Sequence, residues 1–172
     1  MGPGLHIIHW TVRIALLCYA ATVLLLLMGF RGSAWRGSLR GLWTAGCVAF
    51  VAHVAAAFHY AHHWSHAEAI QSTAQQTRDL IGWAFGEGLY FSYLFMILWI
   101  ADVFWHWLAP TGYEQRPRWM QLSLHLYLFL IAFNGAVIFE SGVTRPAGIA
   151  VTLLMAAVLR TRRRNAARPT GP

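Results

Sequence analysis

The sequence predicts an all-α integral membrane protein, a bundle of about five transmembrane helices with the amino terminus outside and the carboxyl terminus inside. Three observations predict it. Of the 172 residues, 58% are hydrophobic and 11% charged, against about 45–50% and ~25% in an ordinary soluble domain. The apolar residues come in runs long enough to cross a bilayer, which takes about 20 residues. The basic residues gather at the ends of those runs. A single soluble domain of this length could not hide so much apolar surface, and no period-2 alternation suggests a β-barrel. The net charge of +7 and pI of about 10.3 would suit a nucleic-acid binder. Here, however, all thirteen basic residues are Arg and sit mostly at the ends of apolar segments, so no nucleic-acid partner is expected. Residues 1–160 form one domain, and 161–172 are read as a basic disordered tail on the anionic inner membrane surface.

The spans are read as residues 6–30, 41–64, 82–108, 119–141 and 143–160. The fifth is short, and Pro146 suits its first turn. Orientation follows from arginine placement. Arg31, Arg36 and Arg40 lie between spans one and two, and Arg116 and Arg118 between three and four. Arg160, Arg162, Arg163, Arg164 and Arg168 follow span five. These segments carry ten of the thirteen Arg and share one side if there are five spans. That side is cytoplasmic, in an inner membrane of bacterial type. Two cysteines, Cys18 and Cys47, lie inside apolar segments and form neither a CxxC nor a CxxCH pattern. The one long outer loop, Ser65 to Ile81, is polar with few breakers and reads as a helix. Ser65 and Glu68 make an S-x-x-E capping box that favours a fresh helical start.

Nine histidines carry the functional signal. His59, His62, His63 and His66 share a face about 100° wide if the helix of span two continues through them. His6 and His9 sit at the outer start of span one, so six imidazoles could converge at one membrane face. Neutral imidazole is the commonest metal ligand and suits haem iron, Fe, Cu or Zn. The alternative is a wet interface dressed with imidazoles. Glu87 and Glu140 stand near the same face as further candidate ligands. Arg13, about two turns into span one, either pairs with Glu87 or Glu140 or neutralises a haem propionate. Charged groups inside a span are functional candidates by default. Gly82, Gly86 and Gly88 would allow close helix approach. His53, mid-span, is either a haem axial ligand or a hydrogen-bonded core residue.

A second polar group lies toward the inner side. Asp102 and His106 are four residues apart on span three, and His125 on span four lies at similar depth. They form either an Asp–His interhelical bond, a proton relay or a small metal site. Trp10, Trp35, Trp43, Trp64, Trp83, Trp105, Trp107 and Trp119 fall at span ends and read as an interfacial belt. Trp99, Tyr90, Phe91, Tyr93 and Phe95 read as packing residues.

The run His59-Tyr60-Ala61-His62-His63 resembles the HxxHH box of membrane fatty-acid desaturases and sterol or carotenoid hydroxylases. That family holds two irons with several such boxes. This chain carries one, on the predicted outer side, so the family's activity is not carried over. Small four- or five-span b-type cytochromes offer a second comparison, in which histidines of neighbouring helices grip haem from both sides. His9 opposite His59 or His63 would be the counterpart here. Three readings follow: a haem- or metal-binding protein serving electron transfer, exchanging with quinone or a periplasmic redox partner; a non-haem metal-dependent oxygenase; and a non-catalytic subunit of a larger membrane complex.

Overall fold

The computed structural model describes residues 3–30, 32–139 and 144–166. Among them every regular element is helical. Helix α1 is Pro3–Met28, α2 Ser33–Tyr60, α3 His66–Ile81, α4 Gly88–Leu108, α5 Pro110–Glu114 and α6 Arg118–Phe133. Helix α6 runs into a π-helical turn, Asn134–Phe139, and α7 is Thr144–Ala166. Helices are the expected answer for apolar segments, because a helix satisfies every backbone N–H and C=O within itself.

Four helical stretches are long and apolar enough to cross a membrane: Pro3–Met28, Ser33–Tyr60, Gly88–Leu108 and Arg118–Ile138. The second begins and ends earlier than the apolar run suggested, and the third begins at Gly88, not Gly82. Residues 82–87 instead form a turn. Gly82 closes α3 in the left-handed conformation (φ 77°), its N–H donating to the Arg78 carbonyl, and Thr77 Oγ1 accepts from the Phe85 N–H at 2.7 Å. Gly86 lies against α3, where a Cβ would meet the Ile70 carbonyl oxygen at 2.8 Å. Of the three glycines of this stretch, Gly86 therefore gives the close approach. Gly82 serves as a helix cap, and a Cβ on Gly88 would find only ordinary contacts.

Helix α7 is a continuous helix through Ala166, so residues 161–166 are not the disordered tail expected. Arg163 and Arg164 lie in its last turn, where cations favour the helix dipole. Arg162 reaches Gly29 just past the end of α1, and Thr144 at the start of α7 meets Arg13. Helix α7 thus runs parallel to α1.

The long helices close a ring: α1 packs on α2, α2 on α4, α4 on α6, and α7 on both α1 and the π turn. Its core is Tyr19, Trp43, Cys47, Phe95, Trp99, Leu128 and Ala132. Trp99 is 1% exposed. It stacks edge-on to Phe95 at 5.4 Å and lies 4.9 Å from Trp43. Gly46 makes room for that ring, since a Cβ there would meet Trp99 at 2.9 Å. Such close van der Waals packing ties α1, α2 and α4 together. Both cysteines are free thiols.

Candidate functional site

The first two helices bring the two histidine groups to one end of the bundle. A Cβ on Gly4 would meet the Tyr60 ring at 2.6 Å, so α1 starts where α2 ends. His53 lies in the same seam, its Nδ1–H donating to the Ile8 carbonyl at 3.0 Å. It is a hydrogen-bonded residue of the α1–α2 contact.

The expected shared face of His59, His62, His63 and His66 does not form. Helix α2 ends at Tyr60, and the chain turns through residues 61–65 with His63 (φ 47°) and Trp64 (φ 61°) left-handed. Two bulky residues at positive φ carry a conformational cost. It is met by the Ser65 N–H to His62 carbonyl bond of 2.7 Å and by the cap that follows. Ser65 accepts from the Glu68 N–H at 3.2 Å, as the capping box requires. The reciprocal half is absent because the Ser65 N–H is already used. The Glu68 carboxylate instead approaches His63 Nδ1 at 3.4 Å.

The break disperses the imidazoles. His66 starts α3 and lies between two tyrosines of α4, 3.1 Å from the Tyr93 hydroxyl and 3.5 Å from that of Tyr90. His62 packs edge-on to Phe58 at 5.8 Å, and His59 against Tyr60 at 4.6 Å. His6 is exposed and His9 half-buried. Glu87 is exposed at the start of α4. Glu140 lies outside the described residues. Among the described residues no group of three or more His, Cys, Asp and Glu is placed to hold a metal ion. Arg13 and Glu87 form no ion pair. Arg13 Nε donates to Thr144 Oγ1 at 3.3 Å, with the guanidinium 5.7 Å from the Trp10 ring.

Burial, ahead of the opposing charge of Glu68, lowers the His62 pKa below the ordinary histidine value. A depressed folded-state pKa favours the neutral form in the folded protein. Its contribution to stability is therefore full above the unfolded value of about 6.5 and is lost as pH falls through the folded one. His62→Gln should accordingly flatten the acid limb of the stability profile while leaving stability at pH 8 unchanged. Thermal unfolding across pH 5–8 checks this, and an unaltered acid limb would refute it.

The opposite, arginine-bearing end holds a tighter constellation. The Asp102 side chain is 3% exposed and that of Arg116 5%, and they pair at 2.5 Å. Trp43 Nε1 and the Tyr113 hydroxyl also donate to Asp102, at 2.9 and 3.0 Å. His106, four residues along the same helix, is not among the donors that hold Asp102. Helix α5 folds back beneath the bundle and delivers Tyr113 and Arg116, whose donors match the carboxylate better than an imidazole one turn along the same helix. His106 stacks on Tyr113 at 3.9 Å with the rings 5° from parallel, and Arg116 lies 3.8 Å from the Tyr113 ring centre. His125 meets the edge of Trp43 at 5.6 Å, at the level of Asp102, as expected. Burial first, then the Asp102 charge, push the Tyr113 phenol above its ordinary value, so it remains a hydrogen-bond donor.

This network floors an open cleft of about 460 Å³, walled by Thr22, Leu39, Trp43, His106, Gln121 and His125 among others. Arg36 and Glu114 close one rim with a 2.7 Å pair. That pair is about half exposed and stabilises by no more than ~1 kcal/mol. Trp43 is thus no belt residue but the indole donor of a buried network. Trp43, Tyr113, Glu114 and Gln121 were missed as site residues because periodicity does not register the fold-back. The Pro110 break and the Tyr, Glu and Arg crowded into the short α4–α6 connection were the available signals.

No protein-family model, curated protein or solved structure matches the chain, so the reading rests on its own residues.

Proposed function

We propose that the protein is a five-span membrane protein, amino terminus outside and carboxyl terminus inside, that serves a membrane-linked redox step. In this reading it holds a quinone-type head group in the cleft at its arginine end. The orientation rests on the arginine distribution, and the bacterial inner membrane is its natural setting. One observation carries the reading: the charged residues that line the cleft are paired, Arg36 with Glu114 and Arg116 with Asp102, while hydrogen-bonding side chains remain in its wall. The pairing leaves no cation in the lining free to hold an anion. Such a lining suits an electrically neutral head group with carbonyl acceptors and an apolar tail. Among the described residues His106 Nδ1 is buried without a hydrogen-bond partner, and the Gln121 amide offers a second donor in the wall.

A second reading, haem b or a transition metal at the histidine end, draws on the packing of Gly4 on Tyr60, which brings the start of α1, with His6, to the end of α2. A haem needs only two axial imidazoles, one from each helix. One preparation tests both. Detergent-purified protein is expected to carry extractable quinone, and His106→Leu with Gln121→Leu should lower quinone affinity by roughly tenfold, the loss of one or two net hydrogen bonds. A quinone-free protein that also fails to bind added quinone sinks this reading. A Soret band or stoichiometric metal, removed by His9→Ala with His59→Ala, would establish the second. Neither cofactor nor quinone would leave a non-catalytic subunit that meets partner subunits through its apolar faces.

A further inference from the structure

A groove of about 280 Å³ runs along the outside of the bundle between α1, the α6–π segment and α7. Its depth comes from small side chains, Ala20 on α1 and Ala132 and Ala136 opposite, while Gly148 lets α7 pack closely on Ala136 and Val137. The π turn contributes Ala136 and Val137 to the lining; such bulges often mark functional sites. The wall is almost wholly apolar, with Leu17, Phe133 and Met155 lining it. The exception lies at one end, where Arg13 stands with Trp10 and Thr144.

Arg13 is ten residues into α1, yet its guanidinium is drawn toward Trp10, one turn nearer the histidine end. This is the snorkelling expected of a long cation near a membrane interface. Its Nε is held by Thr144. That bond orients the planar fork, whose two terminal nitrogens match a phosphate in bidentate fashion. No described carboxylate pairs with it. A cation with an oriented fork at the mouth of an apolar trough of acyl-chain width is complementary to one class of molecule.

We propose that this groove is a specific site for one anionic phospholipid of the leaflet at the histidine end, its phosphate on Arg13 and one acyl chain laid along Ala20, Ala136 and Gly148. The groove volume accommodates part of a single chain; the other chain and the head remain in the leaflet. The site is separate from the cleft of the arginine end and does not depend on what that cleft holds.

The test uses the full-length protein in nanodiscs containing phosphatidylcholine or phosphatidylglycerol probes with a photoreactive acyl chain, and crosslinks are mapped by peptide mass spectrometry. Mapping separates this site from anionic lipid gathered by the arginines at the other end. Crosslinks are expected on 16–20 and 129–137, with a preference of about fivefold for the glycerol head group, as one Arg near a membrane surface provides. Arg13→Gln should erase the preference while keeping crosslinks, and Arg13→Lys should keep most of it. Ala20→Phe should abolish crosslinks of both probes. Equal labelling by the two probes, a preference that survives Arg13→Gln, or labelling that avoids both segments would each overturn the proposal. Thermal unfolding of each variant confirms that the bundle is intact.

Discussion

Asp102→Ala is expected to destabilise the bundle by about 3–5 kcal/mol, the usual penalty for removing one partner of a buried ion pair. The cost does not come from losing a strong attraction. It comes from what is left behind: Arg116, with a side chain 5% exposed, keeps its charge without its partner. Trp43 and Tyr113 lose their acceptor together, because both donate to the same carboxylate oxygen. Asp102→Asn should cost less, since an amide oxygen still accepts from two donors. Asp102→Leu combined with Arg116→Leu should recover the part of the loss due to the stranded charge, because an apolar pair leaves no buried charge, while Trp43 and Tyr113 still lack their acceptor. Equilibrium unfolding of the wild type, Asp102→Leu, Arg116→Leu and the double variant in mixed detergent gives the coupling energy. Single variants that each cost under about 1 kcal/mol, and add without coupling, would show that the pair is solvated. The cleft should follow the pair. Tyr113 and Arg116 are the residues by which α5 and the chain beyond it are tied to α4, so Asp102→Ala should lose quinone binding as well as stability.

The second large effect is expected at Trp99, where Trp99→Ala should cost about 3–5 kcal/mol. The ring touches Tyr19, Trp43, Phe50 and Phe95 and holds α1, α2 and α4 together. Moving a side chain from lipid into the bundle changes its hydration little. The penalty is therefore the cavity and the lost dispersion contacts, not an exposed apolar area. Trp99→Phe should cost much less, because Trp99 Nε1 makes no hydrogen bond among the described residues and nothing polar is lost with it. Trp119→Ala, at a residue 70% exposed, is the control and should change stability by no more than ~0.5 kcal/mol. Near-equal effects at Trp99 and Trp119 would contradict the packing described.

How much of this was legible in advance differs between the two ends of the bundle. The long helices follow from composition alone, since a helix bonds its backbone internally, as a long apolar run such as Val23 to Met28 requires. Ser65 announced the start of α3 through its cap, and the arginines marked the ends of the spans. The partners of the charged and polar side chains were not legible. A helical wheel assumes that the helix continues, and the left-handed residues His63 and Trp64 turn the chain at the point where the HxxHHxxH pattern needed it straight. Asp102 had a nearer candidate in His106, four residues along. It is claimed by Arg116 and Tyr113 because Pro110 starts a short helix that folds back under α4. The sequence by itself determined which segments would be helical and apolar, a local property of each stretch. Only the tertiary structure decided which donors reach Asp102, how the imidazoles are shared out and where Arg13 points, because those outcomes depend on distances between segments remote along the chain.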